Sequence, residues 1–512
     1  MSPLLLAAVA ASVATAAERP KFVAFAWEFS GNTPQSLLRI VDKFDQTPLD
    51  GIGLWLKAST VVNGVVTNFN HRRFMHEPAW PREAFTNQIP HFRELTKHRS
   101  MRHSFVKSLS CPRTRIPWTA DAEWARIAGS MRTVAWVARE GGFKGIFIDP
   151  EDYCKVHQFT RQPGDPPYGE LCEIVRRRGR ELFRLVFEEY PDATLHFFWF
   201  MSFVQYYSRR DRADVVRHAR VDEELWPAFA NGVLDVLPPG ASINDGDEEG
   251  YHHSAEKNGY RNGAYMFHNV YAKLAAPENR EKYRRQVRYV PPVYMDMYTN
   301  PEDSSWYKGP TEGSRTETLR RDLIQATDVC GGYVWFWGEK HPWVDRGPKW
   351  RKPDGRISDA TWADELPGLF RAMEWVKDPV ALYDREVAAL SAKGELVNLA
   401  ATSIVSVTNG YKTVALSGVK GGEYYGIAFA AKGESAKVNV FFKDAANKYV
   451  HPSINFVYPD DGRGVVRVPG GRRARRDRVL GGERPGGEDR LRRHPGLQAE
   501  VIARPRTFFG II

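Results

Sequence analysis

Eight short apolar runs recur through the first two thirds of the chain with helical stretches between them, and this alternation restricts the fold more than any other feature. The runs are "FVAFAW" (22–27), "GIGLWL" (51–56), "HSFVKSL" (103–109), "GIFID" (145–149), "TLHFFWF" (194–200), "VLDVLPPGASIN" (233–244), "VPPVYMDMY" (290–298) and "GGYVWFWG" (331–338). The intervening "TPQSLLRIVDKF", "DAEWARIAGSMRTVAWVAREGG", "ELCEIVRRRGRELFRLVFEEYP" and "TETLRRDLIQATDVCGG" place apolar residues three and four apart. They stop at Gly or before Pro, as helices do. Strands alternating with helices eight times predict an α/β fold, a (β/α)8 TIM barrel spanning residues 18–380. "WADELPGLFRAMEWVKD" reads as its closing helix, and Pro238-Pro239 interrupts the sixth run.

A chain of 512 residues is too long for one core of ordinary size, so a second domain is expected. From about residue 388 the pattern turns to short alternating runs, "KTVALSGV", "YYGIAFAAKGES" and "AKVNVFFKD", broken by Gly-containing turns. These predict a small, truncated all-β sandwich over 388–469. Residues 470–512 hold eleven Arg against five acids and no Lys, in Gly/Pro-rich sequence without strand or helix period. The expectation there is a disordered tail or the product of a shifted reading frame. Most of the net charge of +10 sits in that stretch, so the charge does not point to nucleic acid.

The chain opens "MSPLLLAAVAASVATAAERP", an apolar run followed by small residues and then charge, which reads as a signal peptide over 1–17. A secreted or periplasmic protein is expected, and no later run is long enough to span a bilayer. The cysteines, Cys111, Cys154, Cys172 and Cys330, have spacings that fit neither a zinc site nor a disulfide framework and are expected as buried thiols or at most one bridge.

In such a barrel, chemistry gathers at the C-terminal ends of the strands. "GIFIDPEDY" sends a buried strand straight into Asp149 and Glu151, which a period of two aims the same way, with Asp152 out of phase as a cap. Carboxylates held about 6–7 Å apart raise one another's pKa, so that one serves as acid while the other stays ionised. The sixth strand exits into "INDGDEEGY", giving Asp245, Asp247 and Glu248 as further catalytic candidates. Other strand ends offer Trp27, Glu28, Trp55, Lys57, Trp199, Tyr251, Asp296, Trp335, Trp337 and Glu339 as substrate contacts. Fifteen Trp and 21 Tyr tilt the composition toward stacking on sugar rings.

At these residues the chain resembles the TIM-barrel glycoside hydrolase superfamily, over about 20–380. "GIFIDPED" is similar to the G-I-x-x-D-x-E strand end of chitinase-like hydrolases, and "GGYVWFW" to their eighth strand. The resemblance implies Glu151 as general acid, Asp149 as its helper and Trp335 or Trp337 as the sugar platform. Where that signature has a further upstream Asp this chain has Phe147. A second resemblance, to retaining α-glycosidase barrels, implies Asp149 as nucleophile with Asp245 or Asp247 as acid. "YYGIAFAAKGESAKVNVFFKD" resembles a carbohydrate-binding β-sandwich.

The expected function is hydrolysis of a poly- or oligosaccharide by paired carboxylates, with no cofactor and no metal. The competing readings are a non-catalytic polysaccharide-binding barrel and a metal-dependent hydrolase. The latter wants H-x-H on the first strand, where this chain has "WEF".

Overall fold

The computed structural model describes residues 19–394, apart from 63, 71–73, 77, 108–111, 153, 205–213, 312 and 347–359, and beyond 394 only the strands named below. The chain divides into two units, Met1–Val376 and Lys377–Ile512.

The first unit is built on β1 (Lys21–Ala26), β2 (Gly51–Trp55), β5 (Phe105–Lys107), β6 (Gly145–Ile148), β7 (Thr194–Phe197), β8 (Ser242–Asp245), β9 (Val287–Tyr289), β10 (Pro292–Tyr294) and β11 (Tyr333–Gly338). Their order is β10-β11-β1-β2-β5-β6-β7-β8-β9, with each pair of neighbours parallel. The two ends of that order, β9 and β10, are halves of one stave, so the sheet returns on itself as an α/β barrel. Pro291 and Pro292 cause the break, since neither has an N–H for the ladder. Before it, Val290 N donates to Asp245 O at 2.9 Å on β8; after it, Pro291 O accepts from Trp335 N at 3.2 Å on β11. A hairpin of β3 (Lys57–Val62) and β4 (Val65–Asn70) leaves the end of β2.

Two staves differ from the sequence expectation. The sixth does not start at 233: residues up to Val236 finish a helix, Trp226–Val236, and the strand begins at Ser242. Pro238-Pro239 ends the helix and displaces the strand, because Pro bars the helical conformation in the residue before it. The seventh spans 287–294, and Met295–Tyr298 curl into a 3-10 turn. Helices Asp121–Glu140, Tyr168–Glu189 and Arg315–Val329 form where the periodicity predicts them.

Aromatic rings fill the barrel. Phe25 lies 4.4 Å from Phe147 and stacks on His196 at 4.7 Å, while Phe198 stacks on Trp335 at 4.5 Å. Burial pushes the His196 imidazole down to about 3, so it is a neutral member of this plug. Of the described cysteines, Cys154 is exposed and Cys172 and Cys330 are half-buried, all free, against the expectation of buried thiols; Cys111 lies outside the described residues.

In the second unit, a helix Pro379–Lys393 precedes the strands β12 (Ile404–Val407), β13 (Lys412–Val419), β14 (Tyr424–Lys432), β15 (Ala436–Lys443), β16 (Ile454–Tyr458), β17 (Gly462–Pro469), β18 (Leu497–Ala503) and β19 (Thr507–Ile511). They make two antiparallel four-stranded sheets, β12-β19-β14-β17 and β13-β18-β15-β16. β18 and β19 come from the stretch expected as a tail, and each lies between two other strands.

The interior leaves no room at Gly53, where an added Cβ would fall 2.0 Å from a Phe25 ring carbon and 3.1 Å from Phe147. Gly53→Val is therefore expected to cost at least about 2–3 kcal/mol by overpacking, read as a lower urea midpoint. A change within 0.5 kcal/mol, about the scale of a surface substitution, would contradict this packing.

Candidate active site

Neighbours in register on parallel strands share a face, and Trp55, Lys107 and Phe147 are aligned across β2, β5 and β6. Lys107 thus enters the aromatic interior, with 3% of its surface exposed. Its ammonium lies 4.6 Å over the Trp55 ring, 4.8 Å over Phe147 and 5.6 Å over Phe198. Cation–π attraction offsets part of the desolvation, but a buried ammonium also needs an anion. Asp149, two residues beyond Phe147, supplies it: Lys107 Nζ donates to Asp149 Oδ2 at 2.8 Å. The other oxygen, Oδ1, accepts from Glu151 N at 3.1 Å and turns the chain after the strand. Asp152 caps the following loop, accepting from Val156 N at 3.0 Å and His157 N at 2.7 Å.

The third carboxyl comes from across the mouth. A 3-10 turn, Glu248–His252, follows β8, and Glu248 N donates to Phe198 O at 3.2 Å. Burial pushes the Glu248 carboxyl well above the ordinary range, and the charges of Glu151 and Asp149 push it further. The Tyr251 hydroxyl and Lys107 oppose that rise without cancelling it. Glu248, Glu151 and Asp149 therefore form one electrostatic cluster, in which the protonated form of Glu248 is favoured.

The other acids after β8 turn elsewhere. Asp245 is fully buried and accepts from Phe200 N at 3.0 Å, Ser202 N at 3.1 Å, Ser202 Oγ at 2.5 Å and Asp247 N at 3.3 Å. Its oxygens fasten the loop after β7, which leaves none for a substrate. Asp247 adopts the left-handed conformation at φ 42°, and its carboxylate faces Tyr289 and helix Gly259–Asn269. That φ is costly for a residue with a Cβ, and it redirects the chain so that Glu248 enters the mouth.

Trp27 lies 5.1 Å from Trp55 and 6.1 Å from Trp337, forming an aromatic wall. Trp337 Nε1 donates to Glu339 Oε1 at 3.0 Å, and Glu339 N donates to Asp296 Oδ2 at 2.9 Å. Tyr251 joins Trp335 at 5.5 Å, but Trp335 is wholly buried beneath it, with Nε1 bonded to Gly246 O at 2.9 Å. Glu28 is withdrawn into a buried pair with Arg346 at 2.8 Å and also accepts from Trp343 N. Trp199 is buried against Phe203 at 5.5 Å, and Lys57 is exposed at the start of the hairpin.

Sequence reasoning passed over Lys107 and Phe198. The signal for Lys107 was present: a lysine inside a buried strand requires a partner nearby.

The loops after β6 and β7 are clasped together by a bridge between Thr160 and Glu224, with Leu225 N donating to Phe159 O at 2.7 Å. Among the described residues neither Glu224 carboxyl oxygen has a hydrogen-bond partner, and burial followed by the charge of Asp222 pushes the group up to about 8.

No protein-family model matches the sequence, and no curated protein does. Among solved structures, GH5_18 from Streptomyces cattleya in complex with GlcNAc is similar at 13% identity over 70% of this chain and 80% of that one, with a TM-score of 0.38. The catalytic domain of the hyperthermophilic chitinase from Pyrococcus furiosus is similar at 14% over 70% and 98%, TM-score 0.36. The 3-keto-D-glucoside 4-epimerase YcjR from E. coli is similar at 11% over 70% and 99%, TM-score 0.33. Likenesses this weak decide neither fold nor chemistry, which rest on the geometry above.

Removing one partner of a buried pair strands the other charge, so Lys107→Met is expected to lower stability by about 3–5 kcal/mol in urea denaturation. Adding Asp149→Leu should restore most of the loss; a single-variant loss below about 1 kcal/mol, as for a surface pair, would contradict a buried pair. For Glu224 the sign follows from a folded-state pKa above the unfolded one. Its contribution is fully present below about pH 4.5 and is lost as pH rises to about 8. Glu224→Gln should flatten the decline in thermal stability across that window. An unaltered pH–Tm curve would refute the assignment.

Proposed function

We propose that this protein is a glycoside hydrolase, cleaving poly- or oligosaccharides with Glu248 as general acid and Glu151 as nucleophile or base. The observation that carries the reading is a buried carboxyl with a strongly raised pKa beside a second, half-exposed carboxylate, in an aromatic-walled barrel mouth. Glycosidic cleavage needs this division of labour: one carboxyl protonates the leaving oxygen while the other meets the anomeric carbon or an attacking water.

Glu248 donates its proton to the glycosidic oxygen as the C–O bond breaks, and the leaving sugar departs as an alcohol. Glu151, at the rim of the cluster, either attacks the anomeric carbon or takes a proton from water. Asp149 holds Glu151 in place through its backbone N–H and keeps the Lys107 charge beside the site. Trp27, half-buried and backed by Trp55 and Trp337, offers a flat face to the sugar ring. Export through the N-terminal leader, and sugar binding by the second unit, belong to the same proposal.

On a glycan panel, Glu248→Gln is expected to lower kcat by about 10²–10⁴-fold while leaving sugar binding intact. The acid must be protonated to act, so wild-type activity should fall as pH rises through the raised Glu248 pKa, and Glu248→Gln should lack that limb. Full activity in Glu248→Gln would overturn the assignment.

A further inference from the structure

We propose that Trp306 forms an outer sugar subsite, so that the substrate is an extended saccharide chain and not a lone glycoside; this rests on the hydrolase reading. Trp306 follows the seventh stave and is 39% exposed, among tryptophans that are otherwise mostly buried in the barrel unit. One face of its indole stacks on His252 at 4.4 Å and 25°. Tyr294 and Tyr251 stand nearly perpendicular to the indole, at 5.4 Å and 83° and at 6.4 Å and 73°. With 39% of its surface in water, the indole keeps apolar area that His252 and the two tyrosines do not cover.

This surface is linked directly to the acid. Glu248 and His252 open and close the same 3-10 turn, and the Tyr251 hydroxyl beside the Glu248 carboxyl belongs to a ring 4.9 Å from Tyr294. A chain whose scissile bond meets Glu248 therefore has its next rings led over half-buried Tyr294, which buried Tyr251 supports, to Trp306. Burial holds the His252 imidazole below its ordinary pKa, with Lys308 adding to that and Glu249 opposing, so a neutral ring backs the indole.

The platform is also preorganised. Trp306 O accepts from Asn300 Nδ2 at 2.6 Å, and Asn300 Oδ1 accepts from Lys340 Nζ. Two residues on, Lys308 N donates to Met297 O at 2.8 Å, and its buried ammonium donates to Asp322 Oδ2 at 2.9 Å and to His253 O. Lys308 thus ties the Trp306 segment to the turn that carries His252. Little ordering remains to be done on binding, so stacking of a pyranose C–H face is realised as affinity.

The test compares kcat/KM of the wild type, Trp306→Ala and Trp306→Phe on glucan and N-acetylglucosamine hexasaccharides and on the matching 4-nitrophenyl monoglycosides. Trp306→Ala should lose about 3- to 10-fold more on the hexasaccharide than on the monoglycoside, chiefly through KM, with Trp306→Phe recovering most of it. Equal losses on both substrates, or no loss on either, would overturn the subsite. Hexasaccharide titrations followed by tryptophan fluorescence separate the two readings. Trp306-dependent binding without cleavage of any glycan leaves the subsite standing and removes the hydrolase, whereas cleavage without Trp306 dependence does the reverse.

Discussion

An ammonium group inside a barrel of aromatic rings is tolerated only with an anion at hydrogen-bond distance, and the mouth of this barrel is arranged around that need. Lys107 is held among Trp55, Phe147 and Phe198, and Asp149 meets it at 2.8 Å. The pair is weak evidence for stability, because desolvation of both charges offsets most of their attraction. What it does is fix position. Asp149 must stay at the end of β6, its second oxygen then holds Glu151 N, and Glu248 is brought opposite two carboxylates and one ammonium. Without Lys107 the like charges would lose a counterweight, and the Glu248 carboxyl would be pushed up further.

Acids crowd the strand ends of this chain, and their hydrogen bonds sort them by role. Asp245 accepts four bonds from the loops it fastens, Asp152 accepts two backbone donors, and Glu28 is closed by Arg346 and Trp343 N. Glu248 Oε2 has no hydrogen-bond partner among the described residues, although the carboxyl is buried. A buried polar atom left open is costly in a fold and useful in a site, where a substrate oxygen completes it. The loops that carry these groups are held by the Thr160–Glu224 bridge and by Lys308, so the mouth is shaped before any ligand arrives.

The barrel was legible because its evidence is repetitive: apolar runs alternate with 3.6-residue periodicity, and Asp149 and Glu151 sit in phase at the end of one run. The sixth stave was misplaced because "VLDV" is apolar enough for either a strand or a helix, and only the Trp226-Pro227 start and the Pro238-Pro239 stop select the helix. Which acid of "INDGDEEGY" enters the mouth was not readable, since it depends on a single left-handed residue, Asp247, at φ 42°. Local pattern does not encode that choice; packing against Tyr289 and helix Gly259–Asn269 does. Trp306 escaped for a related reason, since its role depends on rings brought from distant turns; Lys107 was signalled by its place inside a buried strand and was passed over.

The central claim is that Glu248 carries a proton at neutral pH because it is buried beside Glu151 and Asp149. Infrared difference spectroscopy of the wild type against Glu248→Gln, taken across a pH titration, reads that proton directly. The account predicts a protonated-carboxyl C=O band at pH 7 that is absent from Glu248→Gln and fades only well above the ordinary carboxylate range. A Glu248 carboxyl that is already ionised by about pH 5, as a solvated glutamate would be, contradicts it.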